Sequence, residues 1–182
     1  MIQRALVASL LALALAGCLS TQDEPFPLDG GDSVAARPGD YACRSVDQHG
    51  AAKVERARLI RLRRDRRTQY VFLTPDNSSA EPAALHRVAD GVYLAAVAHA
   101  EEPGEDLYLA ASAAGGASFR LYVPAEAALA AAPALAARSG ATLVHSRFGD
   151  DLSGPLDAQR AFSLAFAADL KNWRLAADCR LR

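Results

Sequence analysis

The amino-acid sequence predicts an α+β fold. We expect a twisted antiparallel β-meander of about seven to nine strands, with one C-terminal amphipathic helix and one short kinked helix. Three observations lead to this class. Short segments alternate apolar and polar residues, which is the period of a half-buried strand. Asp90-Gly91 is the sequence typical of a two-residue hairpin turn. Near the C-terminus, apolar residues recur at helical spacing, at Phe162, Phe166, Leu170 and Trp173.

Turn signals and alternation place the individual elements. Strands are expected at residues 41–46, 58–63, 70–73, 85–88, 92–99, 107–112, 118–123, 142–146 and 177–181. Residues 125–138 are nearly all alanine and leucine and predict one short helix kinked at Pro133 or two short helical pieces, because proline removes a backbone hydrogen bond. The amphipathic helix is expected over residues 157–173.

The register of the second hairpin follows from where its apolar residues fall. Arg61 and Arg63 alternate with apolar residues in the second expected strand. A five-residue loop over residues 64–68 would pair Leu62 with Tyr70, which places the large apolar side chains on one face and the arginines on the other. We therefore expect both arginines to point into solvent.

The first 17 residues read as a secretory signal. Arg4 supplies the positive start, and residues 5–16 form an apolar run that only Ser9 interrupts. A membrane span needs about 20 apolar residues, whereas the apolar part of a signal peptide needs roughly 7–15. The run therefore indicates export rather than a permanent span.

Leu15-Ala16-Gly17-Cys18 resembles the lipobox of bacterial lipoproteins. The resemblance implies cleavage before Cys18, a diacylglycerol on its sulfur, and usually a further acyl chain such as palmitate on the new amino terminus. It therefore implies a membrane anchor. With Leu19 next to the lipidated cysteine, the chain resembles the lipoproteins that are sorted to the outer membrane. This resemblance implies a location at the outer membrane of a Gram-negative envelope, facing the periplasm. The alternative is an ordinary signal peptide in which Cys18 is accidental.

Composition divides the remainder of the chain in two. Residues 18–38 are rich in proline and glycine, show no apolar period, and predict a lipidated cysteine followed by a flexible tether. Residues 39–182 are expected to form a single α+β domain, which is an ordinary size for one domain.

The three cysteines predict one disulfide. If lipid occupies Cys18, then Cys43 and Cys179 remain, and two cysteines in an exported chain most simply pair with each other. Such a bond would tie the first strand of the domain to the last. The alternative is two unpaired buried thiols. A metal site is not expected, because the sequence contains no Cys-x-x-Cys pair.

We expect neither an enzyme nor a metal or cofactor site. A Gly-x-Ser-x-Gly nucleophile elbow does not occur in the sequence. The acidic residues 101–106 lack the order of a calcium loop. The formal net charge of −1 argues against a general nucleic-acid binder. The four histidines are dispersed along the chain, at His49, His86, His99 and His145.

One charged feature suggests a contact surface. Seven arginines lie within residues 56–67, against the single acid Asp65. A basic strand face can meet anionic lipid headgroups or an acidic envelope protein. The alternative is a solvated outer face of the sheet. The candidates for anionic-surface binding are Arg58, Arg61, Arg63, Arg64, Arg66 and Arg67.

These observations predict a membrane-anchored envelope lipoprotein that acts as a non-enzymatic binding or interaction module in the periplasm. A second possibility comes from the strand at residues 92–99, which is apolar on both faces. A sheet that is apolar on both sides needs covers on both sides. An open apolar face would suit an acyl chain, and the alternative function is therefore a carrier or sensor of a lipid-like hydrophobic ligand.

Overall fold

The computed structural model describes residues 19–26, 36–46, 52–64, 67–73, 80–99, 103–113, 115–146 and 149–182. The strands in chain order are β1 (Leu19–Thr21), β2 (Gly39–Val46), β3 (Ala52–Arg64), β4 (Arg67–Leu73), β5 (Ala80–Ala89), β6 (Val92–Ala98), β7 (Glu105–Ser112), β8 (Ser118–Pro124), β9 (Thr142–Ser146), β10 (Gly149–Ser153) and β11 (Trp173–Leu181). The helices are α1 (Glu126–Ser139) and α2 (Leu156–Ala168), followed by a short 3-10 helix (Leu170–Asn172).

Eight of the described strands pair into a closed ring. Neighbours run antiparallel in the order β6, β5, β4, β3, β2, β11, β8 and β7, and the pairing of β6 with β7 closes the ring. From β7 the sheet extends outward through β1, β10 and β9, and β1 runs parallel to β10. The α+β class is confirmed, but the described residues contain eleven strands rather than seven to nine, and the parallel pair of β1 and β10 departs from the predicted antiparallel meander. The two additional strands are β1 and β10.

The predicted five-residue loop over residues 64–68 is wrong. β3 and β4 pair up to their ends, so Tyr70 lies opposite Arg61 rather than Leu62. Tyr70 is fully buried inside the ring and lies opposite Ala83 on its other side, in β5. In the ring, β4 must pair with β3 and with β5 at the same time. This double pairing, rather than the pattern of apolar and charged residues in one hairpin, sets the register of β4.

The interior of the ring is an apolar cluster. Tyr41 and Tyr70 are fully buried in it, and Leu59, Leu85 and Tyr93 pack beside them. These side chains come from strands all around the ring, because successive residues of each strand point alternately into and out of it. The core on this side of the sheet is therefore built from long-range contacts.

The predicted disulfide is confirmed. Cys43 and Cys179 lie directly opposite each other in β2 and β11, with their Cα atoms 4.0 Å apart, and they are bonded to each other. Both are buried in the interior cluster. The bond joins the first strand of the ring to the last, across a sequence separation of 136 residues.

A second apolar cluster lies between the outer face of the sheet and the helices. Leu94 of β6 and Leu107 of β7 pack there with Phe162 and Phe166 of α2 and with Trp173. The stacked rings of Phe162 and Phe166 lie 5.6 Å apart, centroid to centroid. Both faces of β6 are therefore covered, one by the ring interior and the other by this cluster.

Both predicted helices form. α1 runs through Pro133 as one helix and is capped by Gly140, whose φ of 79° is the left-handed conformation that glycine adopts readily. α2 ends at Ala168 rather than at residue 173, and Trp173 already begins β11. Leu170 is consequently exposed rather than part of the apolar stripe. No helix in the described part of the chain is long and apolar enough to cross a membrane.

The beginning of the expected tether belongs to the folded domain. Residues 19–21 form β1, which pairs with β7 on one side and β10 on the other. Leu19 is 1% exposed and Phe26 is fully buried in the cluster beneath the helices. The tether prediction for residues 18–38 therefore does not hold for residues 19–26. Cys18 and residues 27–35 lie outside the described residues.

Candidate functional site

The outward side of four neighbouring strands carries exposed arginines. In β2 the residues Tyr41 and Cys43 point into the ring, so Asp40, Ala42 and Arg44 point outward. The pairing of β3, β2, β11 and β8 then places arginines from all four strands on one surface. We call this surface the arginine face, and it consists of Arg44, Arg56, Arg58, Arg120, Arg180 and Arg182.

Two carboxylates lie among these six arginines. Arg58 donates two hydrogen bonds to Asp40, at 2.6 and 3.4 Å. Arg120 lies 3.5 Å from Asp178, nitrogen to oxygen. The hydrogen bond from Arg58 lowers the pKa of Asp40, and the positive charges of Arg182 and Arg56 lower it further. Six guanidinium groups against two side-chain carboxylates give the side chains of the arginine face an excess of positive charge.

A groove of about 410 Å³ lies at one end of the arginine face. Arg56, Arg58 and Arg182 line it together with Asp40 and Leu181. Arg58 is engaged by Asp40, whereas Arg56 and Arg182 form no ion pair with any other described residue. A guanidinium group presents its donors in a planar fork that matches a carboxylate or a phosphate. The groove can therefore receive an anionic group.

The structure brings together only part of the predicted arginine set. Arg58 lies on the arginine face, and Arg61, Arg63 and Arg64 continue along β3. Arg67 begins β4. The side chains of these last four residues, and the whole of Arg66, lie outside the described part of the structure.

Sequence reasoning named Arg58 as a candidate and missed the other five members of the arginine face, of which only Arg56 lies in the same arginine run. Arg44, Arg120 and Arg180 lie in separate segments, and only strand pairing makes them neighbours. The spacing of Arg180 and Arg182, at the end of the last expected strand and just after it, was a usable signal, because residues two apart in an extended chain share a face.

Among the described side chains, the interior of the ring contains one small cavity. The cavity between Leu59, Tyr70, Leu85, Tyr93 and Phe119 has a volume of about 20 Å³. That is room for about one water molecule, which needs roughly 10–15 Å³ on this measure. An acyl chain needs far more room than this cavity provides.

A buried carboxyl group lies where the N-terminal segment meets the sheet. Glu105 is fully buried and accepts a hydrogen bond of 3.0 Å from the backbone N–H of Phe26. Its Oε1 atom has no hydrogen-bond partner among the described residues. Burial raises the pKa of Glu105 to about 8, and the nearby charge of Glu24 also raises it. This side chain is therefore protonated at neutral pH.

The three described histidines contact three different partners. His99 lies 3.1 Å from Asp106 and His145 lies 3.0 Å from Asp150, nitrogen to oxygen. His86 packs against the ring of Phe26, and His49 lies outside the described residues. No three metal-ligating side chains converge within the described ranges.

Comparison of the chain with protein-family models, with curated proteins and with solved structures finds no match.

Proposed function

We propose that this chain is a membrane-anchored envelope lipoprotein that acts as a non-enzymatic binding module, with the arginine face as its contact surface for anionic groups. The observation that carries the proposal is the excess of six exposed arginines over two carboxylates, next to a groove of about 410 Å³. The lipobox resemblance at Cys18 supports the anchor. Leu19 supports the outer membrane as its location, with the domain in the periplasm.

The chemistry of the arginine face favours phosphate or carboxylate groups on a large partner. Each basic residue near an anionic surface contributes about 1 kcal/mol of attraction, which decays within a Debye length of about 8–10 Å. Surface ion pairs contribute only about 0–1 kcal/mol to folding stability. Arginines such as Arg56 and Arg182 therefore matter more for binding than for the fold.

The alternative function, a carrier or sensor of a lipid-like ligand, has less support. Ligand pockets usually measure about 300–1,000 Å³. The cavity inside the ring measures about 20 Å³, and both apolar faces of β6 are covered. An acyl chain would not fit into this cavity. Surface binding needs no cavity.

Replacing Arg56 and Arg182 with glutamine should weaken binding of the lipid-free chain, beginning at residue 19, to anionic vesicles. Two lost contributions of about 1 kcal/mol each correspond to a loss of roughly 30-fold in affinity. The loss should shrink at high salt, and the melting temperature should stay nearly unchanged. Co-sedimentation with anionic and with neutral vesicles measures the binding, and polyglutamate provides a protein-like polyanion.

The matched control replaces Arg138 and Lys171 with glutamine. Both residues are exposed and lie outside the arginine face. This variant changes the net charge by the same amount, and we expect it to bind almost as the wild type does. Equal losses in the two variants would show a general charge effect and count against the arginine face. Negligible binding of the wild type to both anionic vesicles and polyglutamate would contradict the proposed contact surface.

A further inference from the structure

We propose that the anchored chain rests on its membrane through the sheet edge formed by β1, β10 and β9. In this orientation β3 and its part of the arginine face point away from that bilayer, toward an acidic partner. The inference rests on the proposed lipid attachment at Cys18. It goes beyond that attachment because it assigns the two opposite surfaces to two different contacts.

No free chain separates the attachment residue from the folded sheet. Cys18 is bonded to Leu19, and consecutive Cα atoms lie about 3.8 Å apart. Leu19 is the first residue of β1, is 1% exposed, and lies opposite Asp150 of β10. A lipid on Cys18 therefore holds this end of β1 at the membrane interface.

β1 is fixed in the sheet by several contacts. The hydroxyl of Ser20 donates to Asp106 at 2.6 Å, and the backbone N–H of Glu105 donates to the hydroxyl of Thr21 at 3.2 Å. The backbone N–H of Gln22 donates to the carbonyl of Leu152 at 2.9 Å. Pulling this segment out would break both strand pairings and expose Leu19 and Phe26. The domain therefore cannot move away from the bilayer while it stays folded.

The surface next to the anchor can contact a membrane without electrostatic attraction to anionic headgroups. β9 pairs only with β10 among the described strands, so it forms the outer edge of the sheet. Val144 of β9 is 48% exposed, and the side chain of His145 is 84% exposed. Asp150 is buried beneath His145 and hydrogen-bonded to it. We expect this contact to form equally on neutral and anionic lipids, because the anchor rather than charge holds it.

β3, which carries Arg56 and Arg58, lies across the ring from the anchored edge. β1 joins the ring at β7, and β3 is four strands away from β7 in either direction. Eight strands at a spacing of about 4.8 Å enclose a ring at least about 12 Å wide between backbones. Side chains add to this width on both sides. The separation exceeds a Debye length of about 8–10 Å, so the anchoring bilayer exerts little attraction on Arg56 and Arg58.

Photocrosslinking of the full chain on vesicles tests the orientation. The lipidated protein is placed in phosphatidylcholine vesicles that contain a lipid with a photoreactive headgroup, and adducts are mapped by peptide mass spectrometry. We expect severalfold more adducts on the peptides covering β9 and β10 than on those covering β3. The matched variant carries an insertion of about twelve Gly and Ser residues after Cys18, beginning with Leu, which spans roughly 20 Å on average. In this variant the preference should disappear.

The outcomes separate this inference from the proposed function. Intact mass first shows whether Cys18 carries acyl chains. Acylated protein with evenly distributed adducts would overturn the orientation and leave the anchor intact. The same conclusion follows if the insertion leaves the adduct pattern unchanged. A chain without acyl mass would overturn the anchor and the orientation together.

Discussion

Replacing Cys43 and Cys179 together with alanine should lower the free energy of unfolding by about 4–5 kcal/mol in the loop-entropy model. The bond closes a sequence separation of 136 residues, so it removes many conformations from the unfolded chain. Both sulfur atoms also lie in the apolar interior of the ring, where the cysteines are 2% and 1% exposed. The loss of packing there adds to the loss of the bond.

Chemical denaturation of the chain beginning at residue 19 measures this effect. The reduced wild type is the control, because it loses the bond but keeps both side chains in place. We expect its midpoint to fall most of the way toward that of the double variant. Equal midpoints for the oxidised wild type and the double variant would contradict the prediction. Two titratable thiols in the oxidised, folded protein would contradict it as well.

The stability of the domain should fall as the pH rises between about 5 and 8, because of Glu105. Its pKa is about 8 in the folded chain, against an ordinary value of 4.5. In this range the folded state keeps the proton and the unfolded state releases it, so a higher pH favours unfolding. The slope for one such proton is at most about 1.4 kcal/mol per pH unit. The contribution of Glu105 is fully present below its ordinary pKa and is lost as the pH approaches 8.

Glu105→Gln should remove this dependence. Glutamine has the same shape, stays neutral at every pH, and can still accept the hydrogen bond from Phe26. The variant should therefore gain stability relative to the wild type as the pH rises. Glu126→Gln, on the exposed first turn of α1, is the matched control and should follow the wild-type profile. Urea denaturation at several pH values tests the prediction, and parallel profiles for wild type and Glu105→Gln would refute it.

Local patterns in the sequence were sufficient for most elements of the fold. Alternation of apolar and polar residues and turns such as Asp90-Gly91 predict the strands of the ring, and an apolar stripe predicts α2. Closure of the ring is different, because it depends on the accumulated twist and stagger of eight strands. β1 could not be predicted from local sequence patterns either. Its three residues pair with partners near Glu105 and Leu152, which no local pattern in the proline-rich segment reveals.

The candidate site was predictable only in part for the same reason. Arg58 belongs to a dense run of arginines that is visible in the sequence. Arg44 and Arg180 join it only through the pairing of β2 with β3 and β11. Glu105 is one of the acidic residues 101–106 in the sequence, and only the fold buries it and brings the backbone N–H of Phe26 to it. Tertiary pairing thus decides which charged residues share a surface.

The most direct test of the lipid-anchored account is the mass of the N-terminal peptide from the full chain expressed in a Gram-negative host. The account predicts a peptide that begins at Cys18 and carries a diacylglyceryl group, with or without a further acyl chain. Cys18→Ser should remain an unprocessed precursor and should not be labelled by a palmitate analogue. An unmodified mature N-terminus, or normal labelling of Cys18→Ser, would contradict the account.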